Sequence, residues 1–244
     1  MSPTLRAARL PAPLRRSQLL EAALALFADR GFHHTSMDDI AERAGVTKPV
    51  LYQHFRSKQK LYLELLETVG AELVAVVEAS ASGGASPHQQ VLAGFEAYFR
   101  FVSERTSAFR LLFGRGARGS DEFADTIRAV EDTLARTVAG FIDADLDDGH
   151  RSVLGYAIVG LAEVTGRYWV TGTEQTVATA AGPDRGDGTD PGRAATGTTV
   201  DHLVSTAAGI PRPGRMAPEE GDLLARRLAD LAWAGLRGLR PDRA

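Results

Sequence analysis

The sequence predicts an all-α fold: an N-terminal helix-turn-helix three-helix unit followed by a larger C-terminal helical body. Apolar residues recur at i, i+3, i+4 and i+7 along most of the 244-residue chain. No strand-like alternation of useful length interrupts them. Short Gly, Ser and Pro clusters divide the periodic runs into separate helices.

The first 14 residues carry Arg6 and Arg9 among Pro and Ala, and are expected to form a flexible basic arm. Leu20, Ala23, Leu24 and Phe27 define the first helix, which Gly31 ends. Thr35 is the expected cap of the second, with Asp38 as its short partner three residues on, and Met37, Ile40, Ala41 and Ala44 as its buried stripe. After the Gly45-Val46 turn, Thr47 is the expected cap of a third helix; Pro49 is tolerated in its first turn, where no intrahelical donor is lost. Leu51 and Phe55 should face inward. Ser57 opens a longer helix to about residue 80, with Leu61, Leu65, Val69, Leu73 and Val76 on one side.

Ser82-Gly-Gly-Ala-Ser-Pro87 is a break. Helices are expected beyond it over 87–104, 106–113, 120–144, 150–171 and 218–239. Residues 172–217 hold 8 Gly, 4 Pro and no aromatic residue, and are expected to form a largely disordered loop, since such a stretch cannot bury enough surface to offset its ordering entropy. The domain boundaries follow: an arm over 1–14, a helix-turn-helix domain over 15–60 and a helical body over 61–244.

Charge separates the two parts. Net charge is −3, yet residues 1–60 carry 10 Lys or Arg against 5 Asp or Glu, and residues 61–244 carry 18 against 26. A basic head on an acidic body suits a protein that offers one end to phosphate. There is no cysteine, hence no disulfide, thiolate nucleophile or Cys-based metal site. Without a signal-like N-terminus or a membrane-length apolar run, a cytoplasmic protein with no membrane partner is expected. Asp143, Asp145, Asp147, Asp148 and His150 form the densest acidic cluster. Position six of a calcium loop would be Asp148 rather than Gly, and position twelve Leu154 rather than Glu, so they read as a solvated helix end. No nucleophile elbow, phosphate-cradling loop or paired-His zinc motif occurs, so no catalytic activity, cofactor or metal is expected.

The most informative segment is Ala41–Phe55. It reads as a helix end, a tight turn at Gly45 and a short second helix that leaves Lys48, Tyr52 and Gln53 on one exposed face, the layout that places a second helix in the major groove. Lys48 can reach a phosphate or a guanine edge, and Gln53 can pair with adenine. The Tyr52 hydroxyl and His54 suit the phosphate backbone. Thr35 and Ser36 suit phosphate as well, although capping alone explains them. Lys58, beside the start of the fourth helix, can pin a phosphate.

Phe27-Ala-Asp-Arg-Gly-Phe32, Thr35–Val46, and Leu51-Tyr-Gln-His-Phe-Arg-Ser-Lys58 with Leu61 resemble the N-terminal domain of TetR-type transcriptional regulators. The resemblance covers about residues 15–66. It implies a homodimer that binds a double-stranded palindromic operator through this head, usually as a repressor released by a small ligand. The Lys48-Pro49 pair departs from the small residues common there, so the operator cannot be borrowed from relatives, and the loop before the last helix is longer than usual.

For the effector, an apolar pocket is expected between the helices at 87–104, 120–144 and 150–171, with Phe99, Phe113, Leu134 and Tyr156 as candidate lining residues and a hydrophobic ligand implied. Glu163 in its apolar helix is expected to pair with Arg167 one turn on. For the homodimer, the helices at 150–171 and 218–239 are the expected pair. Gly155, Gly160, Ala229, Ala232 and Gly235 would allow close approach, and Leu228, Leu231, Trp233 and Leu236 would supply area, with packing of the same helices within one chain as the competing reading. The rival reading is a helical ligand-binding or scaffolding protein that keeps the fold but does not recognise an operator.

Overall fold

In a computed structural model, residues 11–114, 121–142, 146–180 and 218–238 are described, and every element among them is an α-helix. The helices are α1 (Ala12–Arg30), α2 (Met37–Arg43), α3 (Lys48–His54), α4 (Lys58–Ser82), α5 (Pro87–Glu104), α6 (Thr106–Phe113), α7 (Asp121–Gly140), α8 (Asp148–Ala180) and α9 (Pro218–Gly238). The first turn of α1 already includes residues 12–14, assigned above to the arm, because Pro13 is preset for a helix start. Residues 1–10 lie outside the described residues.

The head is α1 to α3, closed by the start of α4. Leu19, Ala23, Ile40, Leu51 and Phe55 form its core, each almost fully buried. Two of its turns use positive backbone angles, Gly31 at φ +77° and Gly45 at φ +64°, a region that β-carbon sterics deny to most residues. The cap of α2 is one residue later than the sequence suggests. Ser36 Oγ accepts from the Asp39 amide at 3.1 Å, and the Asp39 carboxylate accepts from the Ser36 amide at 2.8 Å, a reciprocal capping box. Asp38 therefore takes no part in capping. Thr47 does occupy the cap position of α3, but through its carbonyl alone; its hydroxyl makes no capping bond.

The expected boundary at residue 60 falls inside α4, so head and body share one unbroken helix rather than a linker. Ser57 caps it, accepting from the Lys60 amide at 3.1 Å. Its buried stripe passes from Leu73 to Val77, and Val76 is exposed, as the i+4 step requires. In the body, α5 lies between α4 and α9, α7 pairs with α8, and α6 packs on α1. Phe123 of α7 meets Phe32 and Tyr62 edge-on or tilted, with ring centroids 4.7 and 4.5 Å apart, and so ties the body to the Gly31 turn of the head.

Helix α8 runs to Ala180, nine residues past its expected end. Gly172–Ala180 contains one Gly and no Pro; averaging composition over the whole Gly-rich stretch concealed it. The remaining loop residues, 181–217, lie outside the described residues, as do Asp143 and Asp145. Asp147 opens α8 by accepting from the His150 amide at 3.0 Å, so its part of the acidic cluster begins a helix, and Gly149 lies in the first turn. No helix among the described residues is long and apolar enough to cross a membrane.

Candidate nucleic-acid interface and ligand cavity

The turn between α2 and α3 is fixed by backbone bonds from Val46 to Ala41 and from Gly45 to Glu42, at 2.9 and 3.0 Å. Gln18 of α1 secures the end of α2 by donating to the Ala44 carbonyl at 3.0 Å. The far end of α3 is held by Arg16. Its guanidinium pairs with Glu64, donates to the His54 carbonyl at 3.0 Å and lies 4.4 Å over the Phe55 ring. With both ends secured, α3 presents Lys48, Pro49, Tyr52 and Gln53 to solvent, with His54 half-buried at the edge. Thr47 and Ser36 are exposed beside them.

Lys48 Nζ donates to Asp38, 3.0 Å from one carboxylate oxygen and 2.8 Å from the other. The bond and the charge of Asp38 raise the Lys48 pKa. Asp38, Lys48, Tyr52 and Ser36 line one shallow concavity with His33 and His34. Asp39 is held below the usual carboxylate range by its bonds from Ser36.

Two expected DNA contacts change character. Thr35 is 1% exposed, and its hydroxyl donates to the Gly31 carbonyl at 2.9 Å, so it braces the α1–α2 turn and offers no hydroxyl to phosphate. Lys58 donates to the carbonyls of Phe32 and Thr35, at 2.8 and 2.9 Å, and lies 4.3 Å over the Phe32 ring. It is a strut between α4 and that turn, with two of its three donors engaged inside the protein. Arg16, Gln18 and Asp38 were not singled out from the sequence as parts of this site. Arg16 meets a partner 48 residues away, which no local spacing can announce.

In the body, a cavity opens between four helices, lined by Val77 of α4, Phe95 and Tyr98 of α5, Leu134 and Val138 of α7, and Val159 and Ala162 of α8. Its walls are almost wholly carbon. It is a narrow slot with a volume of about 50 Å³. Of the expected lining residues only Leu134 faces it. Phe99 lies behind the slot, edge-on to Tyr98 with centroids 5.3 Å apart, and Phe113 packs on Phe109 at the same separation; both are fully buried in the general core. Tyr156 points outward, 48% exposed, and donates to Asp132 at 2.7 Å. The Tyr98 hydroxyl is buried with no hydrogen-bond partner, 3.3 Å from where a β-carbon on Gly166 would sit. Burial, and then the charge of Glu163, push its pKa well above the ordinary value. Glu163 pairs with Arg167 at 2.9 Å, as expected from their spacing.

The expected dimer residues divide in the same way. A β-carbon on Gly155 would stand 2.4 Å from the Ala135 carbonyl, so this glycine serves the α7–α8 contact within the chain. Leu228 is buried, Ala232 is half-buried against the core, and Trp233 lies edge-on to His88 of α5 at 5.4 Å, all within the chain. Leu236 is half-buried. Gly160 and Gly235 face open space, and Leu231 is 61% exposed. Val153, Val164, Tyr168 and Leu223, unnamed in the sequence reading, are exposed with them.

Comparison with known proteins agrees with this architecture. Residues 19–65 match the N-terminal domain of bacterial regulatory proteins of the tetR family, and residues 87–182 match a tetracyclin repressor-like C-terminal domain. The chain is 36% identical over 164 residues to the HTH-type transcriptional activator FasR of Mycolicibacterium smegmatis, an alignment that covers 66% of this chain and 75% of that protein. Its fold is similar to a TetR-like regulator from Rhodococcus sp. RHA1, with TM-score 0.62 and 24% identity, covering 95% of this chain and all of the other. It is also similar to FadR of Bacillus subtilis, solved in complex with stearoyl-CoA, with TM-score 0.58 and 17% identity, covering 65% and 89% of the two chains. The capped α2, the glycine turn, the exposed face of α3 and the helical body behind them are those of a transcriptional regulator, and the chain belongs to the TetR family.

Proposed function

We propose that this regulator binds an inverted-repeat operator as a homodimer and is released from it by a small hydrophobic effector. The observation that carries the reading is the exposed row Lys48, Tyr52 and Gln53 on a helix braced at both ends. A recognition helix must be rigid before its side chains can discriminate bases. Ser36, Thr47, Pro49 and His54 border that row and belong to the proposed contact surface.

For the dimer, Val153, Ala157, Gly160, Val164 and Tyr168 repeat at three and four residues along α8. Leu223, Leu231 and Ala234 are exposed along α9, eight and three residues apart. Two such helices from each subunit form a four-helix interface, with the glycines at the closest approach. For the effector, the carbon-lined slot supports an apolar body, and the complex of FadR with stearoyl-CoA supports a long acyl chain. The slot is smaller than the several hundred Å³, roughly 300 or more, of ordinary ligand pockets. The effector must therefore open it, and a ligand that favours the opened form shifts the population away from the DNA-competent dimer. Repression follows when an occupied operator excludes the polymerase, although FasR bears the name of an activator.

Selection of duplex fragments by the purified chain tests the reading. Enrichment of an inverted repeat is expected, with half-sites about one helical turn or more apart. Lys48→Ala should weaken binding to the selected repeat by about tenfold or more. Failure to prefer any such fragment over random competitor overturns the reading, and a monomer in light scattering at micromolar concentration overturns the dimer.

A further inference from the structure

Asp38 takes no part in the box that caps α2, which uses Ser36 and Asp39. Among the described residues, the bonds of its carboxylate run to Lys48 across the turn, at 3.0 and 2.8 Å. Both side chains are more than half exposed, and water screens such a pair so that it adds little to stability. An acid on a surface that must approach phosphates weakens sequence-independent attraction. Its place in the concavity with Lys48 and Tyr52 suits a role in selectivity instead.

The pair sets a donor and an acceptor side by side. A G·C pair shows its complement on the major-groove edge: the N7 and O6 acceptors of guanine, with the N4 amino donor of cytosine next to O6. An ammonium can engage both adjacent guanine acceptors, whereas an A·T pair separates its two acceptors, adenine N7 and thymine O4, by the adenine N6 donor. We propose that Asp38 and Lys48 act as one composite reader that fixes a G·C pair in each half-site, Lys48 on guanine and Asp38 on the cytosine amino group. This inference rests on the DNA-binding reading above. The ion pair holds each partner in place before contact, so little side-chain freedom is lost on binding.

The test is selection from a randomised duplex library by the full-length chain, with Asp38→Ala, Asp38→Asn and Lys48→Ala in parallel and folding checked by thermal melting. The wild type is expected to enrich an inverted repeat with an invariant G·C pair at one symmetric position. Asp38→Ala should relax that position alone, by about tenfold. Asp38→Asn should move its preference toward adenine, which an amide can engage through N6 and N7. If Asp38→Ala keeps the wild-type preference at every position, or only raises affinity for all sequences alike, the composite reader is overturned and Asp38 is merely a counter-ion. If the wild type enriches no repeat, the regulator reading fails first and this one with it. An invariant A·T pair at the position relaxed by Asp38→Ala would overturn the base assignment.

Discussion

Head and body solve different problems with the same kind of helix. The head is small, its turns are fixed by Gly31 and Gly45, and its polar groups are engaged: Thr35 on Gly31, Gln18 on Ala44, Arg16 on Glu64 and the end of α3, and Lys58 on Phe32 and Thr35. Among the described residues, every buried side-chain nitrogen or oxygen of the head has a hydrogen-bond partner. The body contains a narrow void between four helices, a buried tyrosine hydroxyl without a partner and an apolar face open to solvent. The contrast shows how a rigid head and a yielding body can belong to one chain. Rigidity follows from satisfied polar struts around a filled core, and compliance from space left unfilled.

The strongest challenge to this contrast compares two buried leucines. Leu51→Ala in the head core should destabilise by about 4 kcal/mol, because it opens a cavity where packing is complete. Leu134→Ala on the slot wall should cost nearer to about 2 kcal/mol, since one side of that leucine already meets empty space. Equal losses in denaturant titrations would abolish the distinction between the two cores.

Two glycines of α8 sharpen the picture within the body. Gly155→Ala should cost about 1–3 kcal/mol, because its methyl would meet backbone at Ala135. Gly160→Ala, with nothing within 4 Å, should be neutral or gain up to about 1 kcal/mol from helix propensity in the isolated chain. Melting both variants at a concentration low enough to keep the chain monomeric checks the order, and a reversed order would mean that the packed and open sides of α8 had been confused. The smallest expected effect is that of Tyr98→Phe. Removing a buried hydroxyl without a partner should leave stability unchanged or raise it by up to about 1 kcal/mol. A loss of similar size would show that the hydroxyl is satisfied after all.

Much of the head was legible because its signals are local. Glycines at the turns, inward Leu51 and Phe55, and an outward row one turn apart all follow from spacing within a few residues. The cap of α2 was misplaced by one position because Ser36-x-x-Asp39 and Thr35-x-x-Asp38 are equally good patterns in sequence; only burial of Thr35 separates them. Lys58 was read as a phosphate contact for a similar reason, since a cation beside a helix start does not reveal which oxygens lie within its reach. The body was less legible. Helix periodicity identifies an apolar stripe but not which member of the stripe borders a void. Phe95, Tyr98 and Phe99 share one side of α5, yet only the first two meet the slot. Tyr156 and Val159 differ by three residues on α8 and face opposite environments.

The unbroken α4 joins these two halves mechanically. Its 25 residues form a shaft about 37 Å long, with Lys58 at one tip and Val77 near the other. A lever of that length magnifies small events: prising the far tip sideways so that it pivots by about 5° swings the near tip through an arc of about 3 Å. That displacement is comparable to a hydrogen-bond length, enough to carry side chains out of register with the rungs of a duplex.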